Sequence, residues 1–337
     1  DSDLFRAHPE WAIGAPGYRR TESRHQLCLD MANPAVVDYL DATLGPVLEA
    51  ARPDYVKWDW NRYVTEPWTP VLPPDRQGEF FHRYQLGSYD LHRRLLARLP
   101  GVLLESCASG GGRFDGGMVA LAPQGWTSDN TDAVERISIQ WGTSLAYPLS
   151  TMAAHVAAVP NHQTGRLTSI GFRAAVAMFG VFGYELDPTI LTDAERDEVR
   201  RQVAYYIERR DLFQFGRFLR LRSPFAGDGN EAAWMVVDDD GDRAVAVHYR
   251  VLFRPLPTRD RIRLRGLDPR ARYEVTAWSS FGDPLGTFVR GGDELMAVGL
   301  GIEPPDPFPL AAEQPDGVRL VRGDFTFRLF DLRRLPA

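Results

Sequence analysis

The chain has 337 residues, of which 44% are hydrophobic and 25% are charged, and this length is sufficient for two hydrophobic cores. No apolar run reaches the ~20 residues that a membrane-spanning helix needs, so we expect a soluble protein with no membrane partner. The formal charge of −6 provides no basic surface. It therefore argues against a nucleic-acid partner and favours a neutral or cationic small molecule.

The two cysteines, Cys28 and Cys107, lie far apart and lack the spacing of a disulfide framework or a zinc site. A reducing compartment, the cytoplasm, is the default expectation. The seven histidines show no HxH or HExxH spacing, so neither a metal nor a cofactor is predicted. The sequence begins with DSDLFRAHPEW and no initiating methionine, which suggests a piece of something longer.

From residue 26 to about residue 190, short apolar runs alternate with longer helical patterns, which is typical of a parallel sheet. The first predicted elements are a helix capped by Asn33 and Pro34, a strand at 55–59 (YVKWD) and a helix at 78–99. Strands follow at 102–106 (VLLES), at 125–129 (GWTSD) and around 152–156 and 178–184. The last helix begins at the capping box of Thr192 and Glu195 and ends near Gln214.

In the helix at 78–99, helical spacing predicts that the apolar face consists of Phe81, Tyr84, Leu91, Leu95 and Leu99. This run of alternating strands and helices favours an α/β fold with a (β/α)8 TIM-type barrel. The barrel is expected to occupy residues 1–215 and to be incomplete, because only five or six candidate strands are present and an eight-stranded barrel cannot close without the others.

After residue 215 the pattern changes to short strands separated by turns. The segment DDDGD (238–242) lacks the spacing and the final glutamate of a calcium loop, and a hairpin turn is the better interpretation. Residues 216–337 are therefore predicted to form a small antiparallel β-sandwich domain.

The strand YVKWDWN carries charges on one face, because side chains of a strand alternate. Lys57, Asp59 and Asn61 share that face, and in a parallel barrel the carboxyl ends of the strands form the reaction site. A lysine two residues away favours the ionised form of Asp59, which suits a nucleophile. The alternative is a purely structural ion pair between Lys57 and Asp59.

The segment GWTSDNTDAVER places two further aspartates after another strand. Asp132 stands three residues before Glu135 at the start of a helix, so it is predicted to be a helix cap. Asp129 directly follows the strand, close to Trp126, and an apolar wall favours the protonated form of a carboxyl. Asp129 is therefore the candidate general acid.

An ionised and a protonated carboxyl on different strands of one barrel are the arrangement of a retaining glycoside hydrolase, which needs the two groups roughly 5 Å apart. Between them lies ESCASGGGRFD (105–115), whose glycines fit a loop that approaches a ligand closely. The loop lacks both phosphate-binding glycine patterns. A group of tryptophans near the strand ends is compatible with stacking on a sugar ring, namely Trp58, Trp60, Trp68, Trp126 and Trp141.

Three ordered blocks, YVKWDWNR, ESCASGGGRFD and WTSDNTDAVERISIQWG, resemble the signature blocks of glycoside hydrolase family 36, whose best-known members are α-galactosidases. The resemblance extends over nearly the whole chain through HVAAVPNHQTGR, FGYELD and GDELMAVGL. One departure is Trp60, where the common form of the block has methionine.

The resemblance implies a retaining double displacement on terminal α-galactosyl groups of melibiose- and raffinose-type oligosaccharides. Asp59 corresponds to the nucleophile and Asp129 to the acid/base. The substrate-binding residues that carry over are Arg24, Lys57, Asn61, Cys107, Ser109, Gly110 and Trp126.

Family members also carry a β-sandwich domain and the first barrel strands ahead of DSDLFR, and those strands supply two aspartates and a tryptophan to the galactose site. The chain alone is therefore expected to have little activity. Relatives are often tetramers, so a homo-oligomer is a further expectation. The alternatives that stay open are galactosyl transfer and an inactive carbohydrate-binding fragment.

Overall fold

The computed structural model describes residues 2–254, 261–302 and 323–336. Contacts divide the chain into two compact units, Asp1–Asp129 and Asn130–Ala337. Five parallel strands, three in the first unit and two in the second, are followed by an antiparallel sheet, which confirms the predicted fold class. The domain boundary expected at residue 215 stays a prediction. No helix within the described residues is both long and apolar enough to cross a membrane.

The first unit is built on three short parallel strands that pair in the order β1, β2, β3. Its strands are β1 (Tyr55–Asp59), β2 (Leu103–Cys107) and β3 (Gln124–Trp126), and its helices are α1 (Asp3–Ala7), α2 (Pro34–Ala51), α3 (Phe80–Arg98) and α4 (Gly116–Val119). Short 3₁₀ helices span Pro9–Trp11 and Pro74–Glu79. Asn33 caps α2 by accepting a hydrogen bond from the Ala35 N–H, with Pro34 in the first turn, as the sequence predicts.

The core of this unit lies between α2, α3 and one face of the sheet. Tyr84, Leu91 and Leu95 of α3 are buried there, as predicted. The expectation for Phe81 is wrong, because Phe81 is 58% exposed whereas Phe80 is buried. Both residues fit helical spacing to Tyr84, one at i+4 and the other at i+3, so the pattern alone does not separate them.

The second unit begins with the remaining parallel strands and three long helices. They are α5 (Ala133–Thr143), β4 (Met152–Ala157), α6 (Ile170–Ala177), β5 (Val181–Glu185) and α7 (Asp193–Phe215), with 3₁₀ helices at Leu149–Thr151 and Pro188–Ile190. The strand expected at 178–184 starts three residues later, because Met178 is the C-cap of α6. Every residue of α6 is buried, Arg173 included, and a helix that is buried on all sides is not distinguished from a strand by periodicity.

The rest of the second unit is a six-stranded antiparallel sheet in the order β11-β10-β13-β8-β7-β6 and a two-stranded sheet of β12 and β9. The elements are β6 (Arg217–Arg222), β7 (Glu231–Val237), β8 (Arg243–Arg250), β9 (Arg261–Ile262), β10 (Arg272–Trp278), β11 (Gly286–Gly291), α8 (Gly292–Ala297), β12 (Leu300–Gly301) and β13 (Thr326–Arg334). The segment 238–242 is the hairpin turn between β7 and β8, closed by the Asp238 N–H donating to the Arg243 carbonyl at 3.0 Å.

The capping box of α7 provides a test of the second unit. The Thr192 hydroxyl accepts from the Glu195 N–H at 3.2 Å, and the Glu195 carboxylate accepts from the Thr192 N–H at 2.9 Å. Thr192→Ala leaves an N-terminal N–H of the helix without its acceptor, so we expect a loss of about 1 kcal/mol in the free energy of unfolding, measured by urea titration. Thr192→Ser keeps the hydroxyl and should stay close to wild type; equal losses in both variants would contradict the assignment.

Candidate active site

The exposed face of the three-stranded sheet carries the candidate catalytic side chains. Tyr55, Lys57 and Asp59 of β1 are exposed, while the residues between them are half-buried. Trp58 and Trp60 point to the opposite face and pack in the core with α2 and α3. The predicted alternation is confirmed.

Parallel register brings the side chains of β1 next to those of β2. Asp59 is the register partner of Cys107, and Lys57 is the register partner of Glu105. The Cys107 thiol therefore neighbours the Asp59 carboxylate. Burial, and secondly this carboxylate, raise the pKa of Cys107 to about 11. The thiol therefore remains protonated at neutral pH and can donate to Asp59.

A second donor to Asp59 is Asn61. Its Nδ2 donates to Asp59 Oδ2 at 2.8 Å, and its Oδ1 accepts from the Ser109 N–H at 2.9 Å. The Ser109 hydroxyl also donates to the Asn61 carbonyl at 3.2 Å. Ser109 has a φ of 51°, a left-handed conformation that is uncommon outside glycine, and these two bonds hold it there. Asp59, Asn61 and Ser109 therefore form one connected chain of hydrogen bonds.

The glycines after Ser109 bring this loop against the segment that carries Asp129. Gly110 has a φ of 82°, and a Cβ at this position would lie 2.7 Å from Ser128 Cα and 2.9 Å from the Asp129 nitrogen. Gly111 similarly approaches the Thr127 carbonyl. These glycines thus make room for the backbone of the chain itself, and the expected close approach to a ligand stays a prediction. Asp59 and Asp129 consequently lie on either side of one tight loop.

Lys57 is paired with a residue that the sequence analysis did not single out. Its Nζ lies 3.4 Å from Oε1 of Glu105 and 4.8 Å from the centre of the Trp126 ring. The ion pair considered between Lys57 and Asp59 is thus formed with Glu105 instead. The available signal was a glutamate inside the apolar run VLLES, since a buried carboxylate requires a partner.

A further residue that sequence reasoning missed is Arg113, which fixes the chain leaving β1. Its guanidinium donates to the carbonyls of Trp60 and Arg62 at 2.5 Å and 3.0 Å. It also lies 4.2 Å from the centre of the Trp60 ring, a favourable cation–π arrangement. Because Asn61 lies between the two carbonyls, these contacts orient the amide that holds Asp59.

The two aspartates after β3 differ in burial, and the burial expected for Asp129 beside an apolar wall is not found. Asp129 is exposed. Asp132 is buried, caps α5 by accepting from the Val134 N–H at 2.8 Å and forms an ion pair with Arg166 at 2.5 Å. Burial alone would raise the pKa of Asp132, but hydrogen bonds from Thr164, Arg166 and Val134 outweigh it and lower that pKa. Asp132 is therefore structural.

Two other expectations find less support. Arg24 occupies a tight turn between Ser23 and Gln26, with φ values of 53° and 58° at Arg24 and His25. Its side chain is exposed, and no contact joins it to Asp59 within the described residues. The tryptophans do not form one platform, since Trp141 packs in the core of the second unit. In the described part of the chain, no group of three or more metal-ligating side chains is positioned to hold a metal ion.

Stability distinguishes the two aspartates. Asp132→Asn keeps an N-cap oxygen but leaves Arg166 without its buried partner, so we expect a loss of about 3 kcal/mol in the free energy of unfolding. Asp129→Asn removes an exposed carboxylate and should change it by no more than ~0.5 kcal/mol. Urea unfolding of both variants measures the difference, and equal losses would contradict these assignments.

The reactivity of Cys107 tests its contact with Asp59. With a pKa of about 11, the rate of alkylation by iodoacetamide should still be rising with pH at pH 10, because only the thiolate reacts. Asp59→Asn removes the negative charge and should speed alkylation at pH 8, as measured by mass spectrometry of the Cys107 peptide. Cys28 serves as an internal reference, and a rate at Cys107 that is unaffected by Asp59→Asn would contradict the contact.

Comparison with known families and structures identifies both parts of the chain. Residues 1–216 match the family model described as Melibiase, and residues 231–332 match the glycosyl hydrolase family 36 C-terminal domain. Alpha-galactosidase AgaA of Geobacillus stearothermophilus is 49% identical over 90% of this chain and 40% of its own length. Alpha-galactosidase 1 of Pediococcus pentosaceus is 44% identical over 89% of this chain and 40% of its own length.

Solved structures agree with these matches. The α-galactosidase from Lactobacillus brevis superposes with a TM-score of 0.90 at 48% sequence identity. The superposition covers 100% of this chain and 43% of the L. brevis chain. A variant of AgaA in complex with raffinose superposes with a TM-score of 0.88 at 46% identity, covering 99% of this chain and 43% of its own. The chain spans about two fifths of the length of the curated relatives that it matches. It belongs to glycoside hydrolase family 36.

Proposed function

We propose that this chain carries the two catalytic carboxylates of a retaining α-galactosidase. The observation that carries the proposal is the loop 108–112, which is hydrogen-bonded to the Asn61 that holds Asp59 and packs against the backbone of Asp129. A short separation between two carboxylates is what a retaining mechanism requires, roughly 5 Å.

Asp59 is the proposed nucleophile. Asn61 donates to Oδ2 of its carboxylate at the end of β1, and the neighbouring Cys107 thiol is a further donor to this carboxylate. In the first step Asp59 attacks the anomeric carbon, and Asp129 gives its proton to the departing glycosidic oxygen. In the second step Asp129 takes a proton from water, the water oxygen attacks the same carbon, and the ester to Asp59 breaks.

The proposed substrates are oligosaccharides with terminal α-galactosyl groups, of the melibiose and raffinose type. Relatives have been solved in complex with raffinose and with stachyose, which supports this class. The proposed sugar contacts are Arg24, Lys57, Asn61, Cys107, Ser109, Gly110 and Trp126. We also propose that residues 1–215 form the catalytic part and residues 216–337 the C-terminal β domain.

Covalent trapping tests the proposal more directly than a rate. Asp59 and Asp129 are both exposed in this chain, and water-exposed charges are screened, so we expect turnover to be slow. A fluorinated galactosyl donor that accumulates the glycosyl-enzyme should add one galactosyl group to the peptide containing Asp59, as measured by mass spectrometry. Asp59→Asn should prevent the adduct.

Asp54→Asn is the matched control, because Asp54 is an exposed aspartate just before β1 and outside the proposed machinery. It should be labelled like wild type. Binding of 1-deoxygalactonojirimycin without any adduct would instead indicate a carbohydrate-binding protein. An anomeric product of inverted configuration, followed by NMR with an aryl α-galactoside, would contradict the retaining mechanism.

A further inference from the structure

Lys57 is the only lysine in the chain, and all its other basic side chains apart from histidine are arginine. Lysine and arginine are not interchangeable, because an ammonium is a compact point charge with three donors whereas a guanidinium is a planar fork. This chain therefore has arginine at all of its remaining Lys/Arg positions and a side-chain ammonium only at Lys57, two residues before Asp59 on β1.

The ammonium is held by a row of side chains that crosses the three strands of the first unit. Lys57 of β1 is the register partner of Glu105 on β2, and Glu105 is the register partner of Gln124 on β3. The Glu105 side chain is only 2% exposed, whereas that of Lys57 is 39% exposed. The carboxylate is thus fixed inside, and the ammonium extends from it toward solvent.

The two carboxylate oxygens of Glu105 have different partners. Oε2 accepts a hydrogen bond from the Tyr55 hydroxyl and another from Gln124 Nε2 at 3.3 Å. Gln124 Nε2 also donates to the Tyr55 hydroxyl at 2.9 Å. Oε1 faces Lys57, and this contact is ionic at 3.4 Å rather than a well-aligned hydrogen bond.

We infer that Glu105 is a positioning residue, which holds the Lys57 ammonium over the ring of Trp126 and aims its remaining protons at the sugar site beside Asp59. The consequence for catalysis rests on the proposed function. The position of the ammonium does not, because it follows from contacts within the chain.

A guanidinium would not replace this ammonium. Glu105 offers only Oε1 to the cation, since Oε2 is taken by Tyr55 and Gln124, so the two-bond pairing that arginine favours with carboxylates is not available. An ammonium also presents donors in three directions. One can face Glu105 while the others face a ligand hydroxyl.

The chemical reactivity of Lys57 tests the positioning without any substrate. Because the chain holds one lysine, acetylation by an N-hydroxysuccinimide ester at pH 8 has one side-chain amine to modify, and the N-terminal amine provides an internal reference. In Glu105→Gln the ammonium loses its ionic partner, and we expect Lys57 to be acetylated about two- to fivefold faster. Tyr55→Phe should give a smaller increase in the same direction.

Glu79→Gln is the control, because it removes a glutamate that pairs with Arg76 and Arg83 at the surface. It should leave the rate at Lys57 unchanged. Thermal unfolding of each variant checks that the sheet is folded under the assay conditions. A Lys57 rate in folded Glu105→Gln or Tyr55→Phe equal to wild type would overturn the inference.

A double-mutant cycle tests whether Glu105 acts through Lys57. The measured quantity is the Kd of 1-deoxygalactonojirimycin for wild type, Glu105→Gln, Lys57→Met and the double variant. We expect Glu105→Gln to weaken binding about tenfold on its own and to add nothing when Lys57 is already methionine. A loss that adds fully in the double variant would assign Glu105 a general structural role and overturn the inference.

Lys57→Arg completes the set, since it keeps the positive charge and changes its shape. We expect it to bind the inhibitor no better than Lys57→Met, and full binding would overturn the requirement for an ammonium. If wild type itself fails to bind the inhibitor, the proposed function fails, whereas the acetylation rates still decide whether Glu105 holds Lys57.

Discussion

The parallel register between β1 and β2 is the constraint on which the candidate site depends. Because side chains of a strand alternate between faces, one register decides that Lys57 meets Glu105 and that Asp59 meets Cys107. A shift by one residue would turn Trp58 toward the site and Asp59 into the helix-packed core. The apolar face, where Trp58 and Trp60 pack against α2 and α3, therefore fixes the chemistry on the opposite face.

A buried carboxylate next to a partly exposed ammonium is costly unless every oxygen has a partner. Glu105 meets this requirement with Tyr55, Gln124 and Lys57. The pKa of Tyr55 lies far above its ordinary value. Burial is the largest cause, and the hydrogen bond to Glu105 is the second. The phenol thus remains protonated and can donate its hydrogen bond to Glu105 at every accessible pH.

The sequence predicts most of the fold, because capping residues and hydrophobic periods are local signals. Asn33 and Thr192 begin helices where expected, and Asp132 caps α5 as expected. Contacts between distant segments were not predictable in the same way. Glu105 lies 48 residues from the lysine that it holds, and only the pairing of two strands brings them together. Similarly, the approach of Gly110 to Ser128 depends on the packing of two distant segments.

The single lysine lies within a hydrogen-bonded strand, which gives this chain an internal reporter of local unfolding. An endoprotease specific for lysine has only the bond after Lys57 to cleave, and proteases act on segments that have opened. Cleavage into residues 1–57 and 58–337 would thus report how often β1 opens, either by detaching from β2 or with the unfolding of the whole chain. Lys57 thus makes the opening of β1 measurable, because the two cleavage products can be separated on a gel.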